Sequence, residues 1–279
     1  MESKSWRHHY IQQFLIKGFL NERAKVFVFD KELNKIKTKE QSTKSIFFEE
    51  DKNTIFFENG KSSSIIEDLL YMNKDNSFSE IIKEFQNSKL SNENLLTTKK
   101  IAEFANYIID LFWRIPYSDE ISNRIIDNIV KKNNYEINEK DSFYKQYRSL
   151  LYQFTLKNPD KLKNKKNGFI TKIFEIKNNL LILGDNPIIY EREPESFDDI
   201  FDLDYCIAIS SNRIVMQSLT EVDFFSDSMV MDYNNLVIEQ SKRFVCSGSK
   251  QILQSCIEYS KNVKELDLEK EFRENIFNK

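Results

Sequence analysis

Two adjacent histidines near the start of the chain are its only imidazole groups. They are His8 and His9, in the segment SWRHHYIQQFLIKGF of residues 5–19. Imidazole gains and loses a proton near neutral pH, so a histidine can act as a general base or acid or bind a metal ion. The same side chains can also satisfy hydrogen-bonding groups at a helix end without any reaction. Their chemistry therefore depends on which other side chains the fold brings to them.

Other side chains could complete a site with a histidine. The apolar run LLIL ends at Gly184, which Asp185, Asn186 and Pro187 follow. An aspartate can orient a histidine base, while the Asn186 amide and the Arg114 guanidinium can hold an anionic group such as phosphate. If the fold brings these groups together, they indicate phosphodiester hydrolysis. An Asp-Asn-Pro turn can equally be structural, and an arginine can simply stabilise a helix end.

The sequence does not identify a cofactor. A divalent metal held by His9, Asp185 and Glu67 is compatible with the proposed chemistry, although the spacing matches no known metal motif. Walker, Rossmann, nucleophile-elbow and zincin motifs are absent from the sequence, so those enzyme classes have no support. Arg7 and Tyr10 could stack on a nucleotide base and pair with it.

The composition describes a folded chain without a strong electrostatic preference. It has 279 residues, 40% of them hydrophobic, so it can bury a large core. The 41 basic and 44 acidic residues nearly balance, which indicates no global attraction to nucleic acid or to an anionic membrane. Cys206, Cys246 and Cys256 lack CxxC spacing, which argues against a disulfide framework and a structural zinc site. Without a long apolar stretch or a segment resembling a signal peptide, we expect a cytoplasmic protein with no membrane contact.

The N-terminal half predicts strands followed by helices. Apolar residues spaced three and four apart from Tyr10 to Phe19 predict a short helix with both histidines at its N-terminus. Residues 25–40 predict a hairpin, and the segment SIFFEEDKNTIFFENG predicts either a second hairpin or an irregular aromatic loop. Helical spacing then follows in residues 61–72, 77–88, 94–114, 118–133 and 141–156.

The C-terminal part returns to strands and ends in helices. Residues 169–190 predict a hairpin, two more strands are predicted at 204–210 and 213–219 around a turn at Ser211 and Asn212, and helices are predicted at 233–246, 249–262 and 267–276. This order predicts an α+β fold, in which a mainly antiparallel sheet from the N-terminal hairpin and the C-terminal strands packs on a central helical bundle. Because the strands at 26–60 and 169–220 flank the helical part at 61–156, we expect one composite domain over residues 1–279.

Six segments occur in a recognisable order between residues 7 and 244: RHHYIQQFLIKGF, KVFVFDK, IIEDLL, LFWRIP, LLILGDNPIIY and CIAISSNRIVMQS. Together they resemble the bacterial family called domain of unknown function 4238. That family has a His-Tyr-apolar-Pro-Gln start and a Ser-Asp-Asn-Pro-like segment after a strand. This chain departs from the pattern at Gln12, where the family has Pro, and at Gly184, where it has Ser.

The resemblance implies which residues form a site, although it implies no activity. His9 rather than His8 matches the family motif, and on the predicted helix it lies one turn from Gln13. The expected catalytic residues are His9, Asp185 and Asn186. The expected substrate-binding residues are Arg7, Tyr10, Gln13 and Arg114.

Two functions from different classes remain open, and the sequence does not decide whether the chain is an enzyme. The first is a phosphodiesterase-like or nuclease-like hydrolase that acts on a phosphate-bearing small molecule or on nucleic acid. The second is a non-catalytic protein-interaction component of a bacterial system of the toxin or phage-defence type. Convergence of His9, Asp185 and Arg114 in an open cleft favours the first, and burial or separation of these residues favours the second.

Overall fold

The structure of the chain, a computed structural model, describes residues 7–57, 61–92, 94–133, 140–156, 169–195 and 198–277. The α-helices in these ranges are α1 (Gln13–Ile16), α2 (Met72–Asn87), α3 (Thr98–Arg114), α4 (Pro116–Asn133), α5 (Lys140–Leu156), α6 (Asp199–Asp202), α7 (Asp227–Gln240), α8 (Lys250–Val263) and α9 (Glu269–Phe277). The strands are β1 (Arg7–His9), β2 (Phe27–Asp30), β3 (Lys35–Ile36), β4 (Phe48–Glu50), β5 (Ile55–Phe56), β6 (Ser62–Ser63), β7 (Ile170–Glu175), β8 (Leu183–Gly184), β9 (Ile189–Tyr190), β10 (Tyr205–Ser210), β11 (Arg213–Ser218) and β12 (Phe244–Ser247).

Antiparallel pairing joins these strands into small sheets. One sheet has the order β7-β11-β10-β9 and another has the order β3-β2-β12-β8, while β1 pairs with β4 and β5 pairs with β6. The α+β prediction is confirmed. The predicted N-terminal hairpin, β2–β3, shares a sheet with the C-terminal strands β8 and β12. The strands of the described ranges are divided among several sheets rather than gathered into the one sheet that the sequence predicted.

The two histidines lie on a strand, so the prediction of a helix starting at them is wrong. Strand β1 pairs with β4, with His8 opposite Glu49 and His9 opposite Phe48, and α1 begins only at Gln13. The hairpin that the sequence allowed within residues 45–60 does not form. Strand β4 pairs with β1, and β5 pairs with β6. Successive side chains on a strand point to opposite faces, so His8 and His9 face different surroundings.

The central helices follow the predicted spacing with one change. The Thr97 side chain accepts a hydrogen bond from the backbone of Lys100 and caps α3. Arg114 ends that helix, and α4 begins at Pro116, as the restriction on a residue before proline requires. The two helices predicted at 61–72 and 77–88 are joined, because a π-helical turn at Glu67–Tyr71 leads directly into α2.

Two C-terminal predictions are wrong for physical reasons. The predicted helix at 233–246 ends at Gln240, and Phe244–Ser247 forms β12 between β2 and β8. A short apolar run cannot be assigned to helix or buried strand by periodicity alone. The strands of residues 169–190 do not pair with each other, because β7 pairs with β11 and β8 pairs with β12. The two strands predicted at 204–210 and 213–219 are present and pair as the hairpin β10–β11.

The hydrophobic core includes residues from the N-terminal strands, the central helices and the C-terminal strands. In α3 the side chains of Tyr107, Leu111, Phe112 and Trp113 are fully buried. Burial of each large side chain contributes about 1.5–3 kcal/mol. Helix α3 is thus held firmly, and so are the charged residues Asp110 and Arg114 that lie on it.

Candidate functional site

His8 and His9 have different hydrogen-bonding states. His8 is buried, and its Nδ1 accepts a hydrogen bond of 3.1 Å from the backbone N–H of Asn53. This contact occupies the Nδ1 lone pair, so Nδ1 of His8 acts as an acceptor here. His9 lies against the Phe48 ring, with 5.8 Å between ring centroids, and its Nε2 is buried without a hydrogen-bond partner among the described residues. Burial lowers the pKa of His9, while a backbone hydrogen bond with Thr43 and the charge of Glu67 oppose this effect.

Asn53 connects the histidine strand to two helical segments. Its Nδ2 donates to Glu67 Oε2 over 2.9 Å, and its Oδ1 accepts a hydrogen bond of 3.0 Å from Arg148 Nη2. The backbone N–H of the same residue binds His8. Glu67 starts the π-helical turn, a local irregularity that is frequent at functional sites. Asn53 is buried, so these contacts fix the relative positions of the strand, the turn and α5.

Two buried cations contact a single carboxylate beside Asn53. Lys52 and Arg148 both bind Asp119, at the start of α4, and Lys52 also lies 3.4 Å from Glu49 Oε2. The Lys52 side chain is 3% exposed, whereas that of Asp119 is 27% exposed. Burial, followed by the positive charge of Arg148, lowers the pKa of Lys52 to about 8. Burial also lowers the pKa of Arg148.

These residues form one connected group, which we call the Asn53 cluster: His8, Glu49, Lys52, Asn53, Glu67, Asp119 and Arg148. His9 is coupled to this group through the charge of Glu67. The cluster contains a buried lysine with a strongly perturbed pKa next to specific charged partners. Such groups concentrate at functional sites, although structural ion pairs perturb pKa values too.

Arg114 belongs to a neighbouring polar network inside the helical part. Its Nη2 lies 2.6 Å from Asp75 Oδ1, its Nε lies 2.8 Å from Asp110 Oδ2, and its guanidinium stacks over the Tyr71 ring at 4.2 Å. Asp110 is fully buried and also accepts a hydrogen bond from Gln12 Nε2. The sequence predicted that Arg114 binds an anionic substrate. In the structure its guanidinium is paired with the carboxylates of Asp75 and Asp110. Glu67 is electrostatically coupled to both Arg114 and His9.

The predicted Asp-Asn-Pro segment fixes the turn between α7 and β12. The buried Asp185 carboxylate accepts hydrogen bonds of 2.7, 2.7 and 2.8 Å from the backbone N–H groups of residues 242, 243 and 244. The Asn186 carbonyl oxygen accepts a hydrogen bond of 2.6 Å from Gln240 Nε2. Asp185 is electrostatically coupled to Tyr10. In the described ranges, no hydrogen bond joins His9 to Asp185.

Gly184, one of the two departures from the family pattern, has a steric reason. A Cβ at this position would overlap the Ser241 hydroxyl oxygen and approach Val237 Cγ1 to 2.9 Å. Ser241 in turn donates a hydrogen bond of 2.6 Å to the Val237 carbonyl oxygen. In this chain a serine hydroxyl from the end of α7 therefore occupies the space that a side chain at position 184 would need.

The remaining predicted substrate-binding residues lie around β1 and α1. Arg7 is exposed and its guanidinium lies 4.7 Å from the centre of the Phe48 ring. Tyr10 is buried, and burial together with the charge of Asp185 raises the pKa of its hydroxyl. Gln13 Oε1 accepts a hydrogen bond of 2.9 Å from the Thr43 hydroxyl. The catalytic and binding roles of these residues stay predictions.

Five residues of the cluster were missed by reasoning from the sequence: Glu49, Lys52, Asn53, Asp119 and Arg148. Lys52 and Asn53 lie in a polar stretch that is typical of a solvated turn. Asp119 and Arg148 occupy polar positions of amphipathic helices, where a charged side chain normally faces water. No local signal distinguishes them, because their burial results from the packing of α4 and α5 against residues 48–54.

The described ranges contain neither a cluster of metal-binding side chains nor a helix that could cross a membrane. No group of three or more His, Cys, Asp or Glu side chains there could hold a metal ion. Each helix in those ranges is too short or too polar to cross a membrane.

Comparison with known proteins identifies a family. The family model described as protein of unknown function (DUF4238) matches residues 7–251, which contain β1, the Asn53 cluster and the Asp185 segment. No curated protein matches the chain, and no solved structure matches it.

Proposed function

The chain belongs to the DUF4238 family of proteins of unknown function, and we propose that it is a hydrolase that cleaves a phosphate ester or diester at the Asn53 cluster. The observation that carries this proposal is the convergence of two buried cations, Lys52 and Arg148, on one partly exposed carboxylate, Asp119. The other supporting feature is the unpartnered Nε2 of His9 on the neighbouring strand.

The charges of Lys52 and Arg148 favour an anionic ligand. Among the carboxylates of the described residues, Asp119 contacts both side chains, and Glu49, the second carboxylate near Lys52, is 45% exposed. Arginine and lysine bind phosphate oxygens through short, charge-assisted hydrogen bonds, which strengthen when water is excluded. A phosphoryl group that enters beside Asp119 would add negative charge next to two buried cations, of which Lys52 contacts Asp119 and Glu49 and Arg148 contacts Asp119. Its binding would therefore compensate part of the cost of burying them.

His9 is the proposed general base. Its pKa is lowered, so the imidazole is neutral at pH 7 and able to accept a proton. In the proposed reaction, Nε2 takes a proton from a water molecule while the water oxygen forms a bond to phosphorus. The bond from phosphorus to the leaving oxygen breaks, the leaving oxygen takes a proton from solvent, and His9 later releases its proton to solvent. The cations of the cluster stabilise the charge on the non-bridging oxygens.

Asp185 and Asn186 take a positioning role in this proposal. The bonds of Asp185 to residues 242–244 hold the turn after α7, and its charge is coupled to Tyr10. Tyr10 lies directly after His9, and its ring lies 5.9 Å from Lys52 Nζ. These residues would thus act on the site through the placement of Tyr10. Arg7, which is exposed beside His9, is the proposed contact for the part of the substrate that extends outward.

The test is an assay of phosphodiester hydrolysis with matched variants. Bis(p-nitrophenyl) phosphate and single-stranded DNA and RNA serve as substrates for the wild-type chain and for His9→Gln and Lys52→Met. Lys31→Met is the control, because Lys31 is also partly buried but binds backbone carbonyl groups at the end of α7. We expect hydrolysis by the wild type and by Lys31→Met, with a loss of at least about 100-fold in His9→Gln. Equal rates in His9→Gln and the wild type would contradict the assignment of the base.

A second function, a non-catalytic protein-interaction component, is favoured by one specific observation. Asp185 and Arg114 are both buried and saturated by internal partners, and by the criterion of convergence in an open cleft this burial favours the non-catalytic function for the site predicted from the sequence. On this alternative, no variant of the cluster changes a hydrolysis rate, and Asp185→Ala affects only stability. A place in a bacterial defence or toxin-type system stays a prediction for either function.

A further inference from the structure

Two exposed phenylalanines follow the turn of the Asn53 cluster directly along the chain. Phe56, at the end of β5, is 41% exposed, and Phe57 is 43% exposed. The two phenylalanines that precede the turn differ, because Phe47 is fully buried and Phe48 is half-buried. A buried ring stabilises the core, whereas an exposed ring keeps a face on which a planar ligand can stack.

A cation joins the Phe56 ring to the cluster. Lys145 Nζ lies 5.8 Å from the centre of this ring and donates hydrogen bonds of 3.0 and 3.2 Å to backbone carbonyl oxygens of the turn at residues 51–54, which carries Lys52. On α5, Lys145 lies three residues before Arg148, so the two side chains are neighbours, with about 5–6 Å between their Cβ atoms. The exposed ring thus lies beside a lysine that is one helical turn from a cation of the cluster.

A second stacking group lies at the histidine strand. Arg7 is exposed, and its guanidinium lies 4.7 Å from the centre of the Phe48 ring, which also contacts His9. Nucleic-acid bases stack on aromatic rings and on guanidinium planes alike. Two groups that can hold a base therefore accompany one phosphate site.

We propose that the Asn53 cluster takes single-stranded nucleic acid as its substrate, with one base stacked on Phe56 and a neighbouring base on the guanidinium of Arg7. This inference rests on the proposed function, because the phosphate that links the two bases occupies the site beside Asp119. Two stacking groups require at least two bases, which favours a polynucleotide over a mononucleotide.

The charges around the site favour a single strand over a duplex. Glu50 lies opposite Arg7 on the paired strand, and Glu49 Oε2 lies 3.4 Å from Lys52 Nζ, so acidic groups offset part of the positive charge. Binding of a duplex depends mainly on attraction to its phosphates, which is weak here. Stacking supplies affinity without a large net charge, but it needs bases that are not already stacked inside a double helix.

The test measures binding by fluorescence anisotropy with matched probes and matched variants. The probes are a fluorescein-labelled oligonucleotide of twelve thymidines, an abasic chain with the same label and the same number of phosphates, and the thymidine oligonucleotide in a duplex. Phe56→Leu keeps an apolar side chain but removes the ring. Phe224→Leu is the control, because Phe224 is 69% exposed and belongs to the segment between β11 and α7. A denaturing gel checks that the probe stays intact during the measurement.

We expect the wild type to bind the thymidine oligonucleotide at least about tenfold more tightly than the abasic chain and the duplex. Phe56→Leu should bind it about tenfold more weakly, which corresponds to about 1.4 kcal/mol, and Phe224→Leu should bind as the wild type does. Arg7→Gln, a second exposed position, should also weaken binding of the thymidine oligonucleotide.

The outcomes separate this inference from the proposed hydrolase. Equal affinity for the thymidine oligonucleotide and the abasic chain, or wild-type affinity in both Phe56→Leu and Arg7→Gln, would overturn the choice of substrate even if bis(p-nitrophenyl) phosphate is hydrolysed. Binding that depends on Phe56 without hydrolysis of any substrate would support the single-stranded ligand and contradict only the hydrolase.

Discussion

Replacement of Lys52 by methionine should remove a large pH dependence of stability. Burial and the charge of Arg148 lower the pKa of this lysine from 10.5 to about 8. Between these two values the unfolded chain keeps the proton that the folded chain releases, so the free energy of unfolding rises with pH. Each pH unit contributes about 1.4 kcal/mol, which gives a gain of about 3 kcal/mol between pH 8 and pH 10.5.

The assay is urea denaturation of the wild type and Lys52→Met at several pH values from 7 to 11. Other titrating groups act on both proteins, so the difference between their free energies of unfolding isolates Lys52. We expect this difference to shift in favour of the wild type by about 3 kcal/mol across that pH interval. If the difference between the two free energies of unfolding does not change with pH, burial does not lower the pKa of Lys52 and the reasoning is refuted.

Three further predictions concern the other polar groups. Asp185→Ala leaves three backbone N–H groups without their acceptor, and urea titration should show a loss of at least about 2 kcal/mol; an unchanged midpoint would contradict the structural role. Asp110→Ala should lower the free energy of unfolding by about 3–5 kcal/mol, and Asp75→Ala by less, because the Asp110 side chain is fully buried and that of Asp75 is 39% exposed; the reverse order would count against burial as the cause. The lowered pKa of His9 predicts that kcat/KM for hydrolysis declines with acid only below pH 6.5, and a midpoint above 6.5 would exclude His9 as the base.

Elements with strong local signals were predictable from the sequence. The amphipathic spacing predicts a helix over 94–114, Thr97 or Thr98 can cap its start, Pro116 favours an end before it, and the structure has the helix at Thr98–Arg114. The hairpin β10–β11 and the α+β class follow from local patterns in the same way. In these segments one periodicity dominates, and the capping or turn residue agrees with it.

Elements that depend on distant partners were not predictable. The backbone of His8 and His9 is extended because β1 pairs with β4, and no local sequence pattern predicts this pairing. Strand β12 has four residues, of which Phe244, Val245 and Cys246 are apolar, and it follows a helix, so periodicity could not separate it from that helix. Long-range pairing overrides local propensity in both cases.

The site was predictable only in part. Of the residues predicted for it, the structure couples His9, Glu67 and Arg114 electrostatically and ties Asp185 to the turn after α7. Lys52 and Arg148 were not predicted, because a charged side chain in a turn or on the polar face of a helix is expected to be exposed to solvent. Their burial is a property of the packed fold, and only the packed fold shows that both bind Asp119.

Calorimetric titration with inorganic phosphate tests the central claim most directly. The wild-type chain and the variants Lys52→Met, Arg148→Met and Lys31→Met are compared at equal pH and low ionic strength. The account predicts binding by the wild type and by Lys31→Met and loss of binding in the two cluster variants, since each removes one of the cations that face the anion. Absence of binding by the folded wild type, or unchanged affinity in Lys52→Met and Arg148→Met, would contradict it.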